Sequence, residues 1–445
     1  MGHELDGFLS ASHGFIPKIP TMRAFPPSHA PWDAIVAAMP ELWRTVSLRQ
    51  ALRAMPVLSA GPEALPDEYV WRAASAMAVF AHAYVYVEKL PAGDLPASVA
   101  VPWAQVAARL GRSGPYMSYN DLIVYNHRLV DPMLGHTIDN MELLVPSVDN
   151  IEERRFYLAQ VEILARGTPL VGSVVRAQEA AIRRDDGALV AELLLMLATW
   201  RDIAELSFRK VDPNPLSATH VDQVVWANSV APLAVPIESG TPGPGGEASP
   251  IFHLMDAFLG RRFKASMLAK EVGFIRDSFP VRQLAFLRAV DDVSVRDYVA
   301  GTGDRRLQSL WDALFDAYAG KKGYLGIHRL KVYGFLELAF KVGRSITITH
   351  IEGAFKDRHW KTLDRILEDT RTERYKELPP HSQAARVRSR EATSSAGAVK
   401  RIVLDAAGTG VVYRPGDRCG VLATNRPEAV ERTLRALRAS GEEVV

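Results

Sequence analysis

Apolar residues recur with a helical period through most of the stretch from residue 111 to residue 375, and strict alternation is scarce there. Runs such as NIEERRFYLAQVEILARG, DGALVAELLLMLATWRDIAELSF and LQSLWDALFDAYAGKKGYLGIHRLKVYGFLELAFKVG place apolar residues three and four apart, on one helix face. A chain built of such runs must pack helix on helix, so the expected fold class is all-α. Two earlier helical patterns, PELWRTVSLRQALRAMPVLS and YVWRAASAMAVFAHAYVYVEKLP, predict a smaller N-terminal lobe over residues 1–110, before a larger lobe over 111–375. The segment VPIESGTPGPGGEASP interrupts the larger lobe; with four Gly and four Pro it cannot be a helix interior.

The sequence changes character near its end. Residues 376–399 are polar, basic and rich in small residues, which predicts a flexible linker. Residues 400–445 alternate short β-branched runs with Gly turns, which predicts strands. Hydrophobic residues make up 48% of the chain, enough for a sizeable core, and 445 residues suit two to three domains. The net charge is only +2 and no long basic block precedes residue 384, so nucleic acid is not an expected partner. The longest apolar stretch, Ala188 to Trp200, is broken by Glu192 and is too short to span a bilayer, so no membrane partner is expected. The opening MGHELDGF has no basic segment followed by an apolar one, and cytoplasmic residence is the expectation.

No phosphate-binding Walker loop, HExxH zinc site or GxSxG nucleophile elbow occurs. The single cysteine, Cys419, forms no internal disulfide and no cysteine-rich metal site, and it lies in the terminal module. A thiolate-ligated haem in the helical lobes is thereby excluded, leaving His as the usual alternative ligand. Of twelve His, His328 lies in GIHRLKVYGFLELAF, with Val332, Phe335, Leu336 and Ala339 on its face. A His on an apolar helix face is more often a core residue than a ligand. His82, in FAHAYVY, has the same character.

Several segments, in order over residues 32–345, resemble the indoleamine 2,3-dioxygenase superfamily. LRQALRAMPVLS and FAHAYVYVEKLPAGDLPASVAVPWAQVAARLG are similar to its small-domain helices. In SYNDLIVYNHRLVDP, Tyr119, Asp121 and Asn126 match a Tyr-Ala-Asp…Asn-Trp segment, with His127 in place of the Trp. PGGEASPIFHLMDAFLG resembles the Gly-Gly-Ser-Ala loop and following helix, through Gly245, Gly246, Ala248, Phe252, Asp256, Leu259 and Gly260. FPVRQLAFLRAVDDVSVRDYV resembles a further segment, and His328 with Val332 falls where the proximal His helix lies.

The resemblance implies a two-lobed helical haem domain, haem b as cofactor, His328 as proximal iron ligand, and O₂ with a small aromatic substrate as partners. It implies a distal pocket drawn from Tyr119, Phe156, Tyr157, Ala159, Gly245 and Gly246. The glycines would let backbone N–H groups approach a ligand closely, or form an ordinary surface connection. Two departures stand out. PNPLSATHVDQVVWAN lacks the Arg that holds the substrate carboxylate in the family, leaving Arg154 or Arg155 as replacements or as solvated charges. Leu325 replaces the Arg three residues before the proximal His; Lys321 and Lys322 are the nearby cations. These losses, with HRLKVYGFLELAFKVGRS and EERRFYLAQVEILA, point to a divergent branch similar to the pyrrolnitrin-pathway haem enzyme.

The terminal module resembles the start of the FAD-binding domain of diflavin, sulfite reductase-type reductases, through Tyr413, Pro415, Gly416, Asp417, Gly420, Val421 and Asn425. That family's later flavin and nicotinamide motifs are absent from this sequence. FAD is therefore expected only if a complete module exists in a longer chain, and an electron-donating flavoprotein reductase is an expected partner. The function implied is a haem-dependent oxygenase of an indole or other tryptophan-derived aromatic in secondary metabolism. The alternatives are a non-catalytic O₂- or NO-binding haem sensor, and the same fold without haem.

Overall fold

In a computed structural model of the chain, residues 4–88, 91–238, 240–261, 266–341 and 360–376 are described, with strands at 386–392 and 400–405. Four helices lead: α1 (Ala30–Arg44), α2 (Leu48–Ala54), α3 (Val70–Tyr86) and α4 (Ala97–Arg109). Every residue of α3 from Val70 to Tyr84 is buried. Its sequence explains this, because WRAASAMAVFAHAY carries small residues on all sides and lets neighbours approach all round. His82 is accordingly a core residue, 1% exposed.

A hairpin follows, with β1 (His127–Leu129) antiparallel to β2 (Met141–Leu143) and His127 opposite Leu143. Strands were expected only beyond residue 400, and the hairpin corrects that. Three-residue strands are too short for alternation to register in a sequence. Side chains fix the hairpin instead. Asn126 Oδ1 accepts from the Val145 N–H at 2.8 Å, and Asn140 Nδ2 donates to the carbonyls of Asp131, Leu134 and Gly135.

The larger lobe is helical, as expected. Its elements are α5 (Ile151–Arg166), α6 (Thr168–Arg183), α7 (Asp186–Asp202), α8 (Gln223–Ser229), α9 (Pro250–Phe258), α10 (Met267–Arg276), α11 (Val281–Asp291), α12 (Val295–Thr302), α13 (Arg305–Ala319), α14 (Tyr324–Lys341) and α15 (Trp360–Thr372). The starts follow capping chemistry. Asn150, Asp185, Asp222, Ser294 and Asp304 each accept a backbone N–H from the first turn of α5, α7, α8, α12 and α13. Gly167, between α5 and α6, permits a close approach: a Cβ there would sit 2.0 Å from Ile251 Cδ1 on α9. Trp200 of α7 meets Tyr318 of α13 and Tyr324 of α14 at ring separations of 4.9 and 5.3 Å, joining three helices in one aromatic cluster. Among the described residues no helix is long and apolar enough to cross a membrane.

The tail holds a second pair, β3 (Arg386–Ala392) antiparallel to β4 (Lys400–Asp405). Residues 386–392 thus depart from the expected linker. RVRSREA has its own two-residue alternation, and the strand from Lys400 offers the β-branched pair Ile402 and Val403 opposite it. The reductase-like residues Tyr413 to Asn425, and Cys419, lie outside the described residues.

A buried ionic network closes the lobe. Asp256 on α9 accepts from Arg374 at 2.6 and 2.8 Å, from Arg261 at 2.8 Å and from the Tyr318 hydroxyl at 2.9 Å. Glu373 takes Arg261 at 2.9 Å and the Ser266 N–H at 2.7 Å. Burial alone would raise the Asp256 pKa, but Arg374 and Arg261 hold its carboxyl well below the usual range. Removing one member leaves buried charge uncompensated, so Asp256→Ala should cost about 3–5 kcal/mol in urea unfolding at neutral pH. A depressed carboxylate stabilises above its unfolded pKa, and that contribution fades as pH falls. The gap between variant and parent should therefore narrow below about pH 4.

Candidate active site

His328 sits one turn into α14, on a helix held from two sides. Arg329 Nη1 lies 3.1 Å from Asp364 of α15, and Lys331 Nζ donates to the Val211 carbonyl at 3.0 Å. The imidazole lies parallel to the Tyr324 ring, with centroids 6.1 Å apart and planes 12° apart. Surrounding protein pushes its pKa down to about 4, against a smaller opposing effect of the Glu247 carboxylate. The residue nonetheless keeps accessible surface and is only half-buried. The residue is thus enclosed by protein without being wholly sealed.

The walls are aromatic. Phe156 of α5, Trp226 of α8 and Phe335 of α14 form a chain with ring separations of 5.4 and 5.3 Å. Phe335 is two turns beyond His328, so the chain runs from the His328 helix to α5. Trp226 Nε1 and the Tyr157 hydroxyl are buried without hydrogen-bond partners. Ala159, 5% exposed, adds a small residue on α5.

The Gly-rich loop closes another side. Tyr119, 4% exposed, stands beside Ser249, the residue just before α9. The loop turns at Gly246–Ala248, with the Ala248 N–H bonded to the Gly245 carbonyl at 2.9 Å. Gly246 is exposed and faces α5, where a Cβ would lie 4.0 Å from Gln160 Oε1. Gly245 is buried, and a Cβ on it would lie 2.3 Å from Glu247 Oε1. The missing side chain is thus the space into which the Glu247 carboxylate folds. The His253 ring holds the Glu247 carbonyl through Nε2–H at 2.9 Å.

The structure brings His328, Tyr119, Phe156 and the 245–249 loop together, but not the two candidate arginines. Arg154 is paired with Asp149 at 2.8 Å, with both side chains about half exposed. Arg155 donates to the carbonyls of His220 at 2.8 Å and Ala218 at 3.0 Å. It thereby clamps the segment in which the family's Arg is missing. Both were candidates for holding a substrate carboxylate, and both are committed elsewhere because short bonds to α5's own neighbours are available. Lys321 and Lys322 are exposed. Glu247 stands where the resembled loop has Ser, and that departure is its signal in the sequence. Trp226 gives no sequence signal, because α8 is only seven residues long and too short for a periodic pattern.

These residues fit a haem. Among the described residues no three His, Cys, Asp or Glu side chains converge to hold a metal. One imidazole among aromatic side chains suits a metal whose other ligands come from a macrocycle. The fold is helical, and these residues are compatible with a haem.

Residues 6–214 match the family model described as indoleamine 2,3-dioxygenase. An indoleamine 2,3-dioxygenase of Aspergillus nanangensis is 24% identical over 356 residues, covering 74% of this chain and 85% of that protein. A 6-hydroxytryptophan 2,3-dioxygenase of Fusarium equiseti is 25% identical over 201 residues, covering 44% and 49%. Indoleamine 2,3-dioxygenase 1 of Mus musculus is 27% identical over 281 residues, covering 58% and 66%. Over residues 6–214 the chain is thus similar to the indoleamine 2,3-dioxygenase family, whose members are haem-dependent dioxygenases.

Proposed function

We propose that this chain is a haem-dependent oxygenase of an indole or other tryptophan-derived aromatic, working in secondary metabolism, with His328 as the residue that holds the haem. The observation that carries the reading is the half-buried His328 one turn into α14, on a helix whose neighbouring rings are Tyr324, Phe335 and Trp226. Bound haem b would supply the oxygen-activating chemistry. The protein supplies the surroundings. Phe156, Trp226 and Phe335 exclude water and offer ring faces to a flat substrate. Tyr119 stands beside Ser249 at the end of the loop that carries Glu247. The Glu247 carboxylate sets a negative charge in the pocket, where an ammonium group on the substrate is favoured.

We infer further that the chain lies on the divergent branch resembling the pyrrolnitrin-pathway haem enzyme. The absence of Arg and Lys from residues 213–228 supports this, as does the engagement of Arg154 and Arg155 elsewhere. The resemblance of residues 400–445 to an FAD-binding fragment supports an electron-donating flavoprotein as a partner. The test is turnover. The reduced, haem-loaded protein is given O₂ and a panel of indoles, and O₂ uptake is followed with product mass. Substrate-dependent uptake, with oxygen atoms gained by the indole, is expected. O₂ binding with no substrate-dependent uptake would make the chain a sensor.

A further inference from the structure

A hollow lies away from the His328 residues, between α3, α4 and the segment 236–242. It is a cleft of about 350 Å³, within the range of small-ligand pockets. Its apolar lining includes Val85, Leu95, Ala100, Met117 and Ile237, and exposed Asp94 and Glu238 stand at it. None of Tyr119, Phe156, Tyr157, Glu247 or His328 lines it.

Two buried polar side chains do line it. His82 is 1% exposed and Trp103 is 3% exposed. Their rings meet edge to face, with centroids 6.2 Å apart at 76°. His82 Nδ1 lies 2.9 Å from the Ala78 carbonyl, so Nδ1 must carry the proton. Burial pushes the ring's pKa down to about 4, so it is neutral near pH 7 and Nε2 presents a lone pair. Among the described residues no donor reaches that lone pair. The Val235 carbonyl also approaches the ring, but a carbonyl cannot donate. Among the described residues Trp103 Nε1–H likewise has no acceptor. A desolvated acceptor and a desolvated donor thus belong to two residues that line one small cleft. Leaving such groups unsatisfied is costly, and native proteins seldom do so without a purpose.

We propose that this cleft is a second small-molecule site, selective for a hydroxyarene whose O–H donates to His82 Nε2 while its oxygen accepts from Trp103 Nε1–H. A single hydroxyl both donates and accepts, so one oxygen between the two rings satisfies both. The arene then rests on the apolar lining. A neutral amine-free phenol or a hydroxyindole fits this chemistry. An ether of the same shape accepts from Trp103 but leaves His82 unmet.

The test uses the intact chain and the probes 4-ethylphenol and 4-ethylanisole, followed by calorimetry and ligand-observed NMR. The phenol should bind at least about tenfold more tightly than the ether, the effect of one satisfied buried hydrogen bond. His82→Phe and Trp103→Phe should each erase that preference. Leu95→Trp, which fills the cleft while keeping both polar groups, should abolish binding, with unchanged thermal midpoint as the folding control. His328→Ala should leave phenol binding intact, which separates this site from the haem site. Equal binding of phenol and ether, no binding, or a preference that survives both the His82 and Trp103 changes would overturn the proposal. In those cases the two groups are met by ordered water alone or the phenol binds elsewhere.

Discussion

The His328→Ala protein is expected to lose tight haem binding. The helix that carries His328 is held by the Arg329 and Lys331 contacts, and the residue itself is half-buried. Its neutral state suits ligation, because a metal needs the lone pair and not the imidazolium. Removing a residue that merely supports a ligand typically weakens metal retention about 10–100-fold, and losing the ligand itself should exceed that. The measurement is haem titration into the apoprotein, read by absorbance and by the rise in thermal midpoint that binding confers. Added imidazole should restore part of the spectrum in the variant. His82→Ala should alter stability while leaving haem affinity unchanged, since His82 lies in the α3 core. An unaltered haem titration in His328→Ala would show that another residue binds the iron.

Free tryptophan should bind much more weakly than tryptamine, its analogue without the carboxylate. No Arg or Lys lies in residues 213–228, Arg155 is spent on two carbonyls, and Arg154 on Asp149. Among the described residues, the Glu247 carboxylate lies near enough to His328 to act on its ring. A buried carboxylate lacking a charged partner forgoes about 1.5–3 kcal/mol, a factor of roughly 10–150. Tryptamine should instead gain from Glu247, and Glu247→Gln should shrink its advantage by about tenfold. Spectral titration of the ferric protein with both ligands measures this. Arg154→Ala and Arg155→Ala should leave the ratio unaltered. Equal binding of the two ligands by the parent, or a ratio that collapses only when an arginine is removed, would sink the charge argument.

The helical architecture was readable because long helices repeat their apolar pattern many times, as in α7 and α13. The β1–β2 hairpin was not, since its cause is the amide chemistry of Asn126 and Asn140 and not a pattern. His328 was legible as a position only; periodicity places a His on an apolar face whether it binds metal or fills a core, and His82, 1% exposed, is buried in α3. Arg154 and Arg155 misled for a related reason. Sequence proximity to Phe156 puts them on the right helix, but a guanidinium reaches far, and its partner is decided by whichever carbonyls or carboxylates the fold brings near. Glu247 became meaningful only when Gly245 was seen to vacate the space its carboxylate occupies.

The ion network around Asp256 also fixes where the helical domain may be cut. Arg374 and Glu373 lie 118 and 117 positions after Asp256, yet both are buried against α9 and its following turn. A gene truncated at residue 370 would strip Arg374 from Asp256 and Glu373 from Arg261, leaving that enclosed pair only each other. One truncated after Lys376 keeps the network whole and discards everything from the linker onward. The natural seam for excising the domain, or for grafting another module onto it, therefore lies immediately downstream of Lys376.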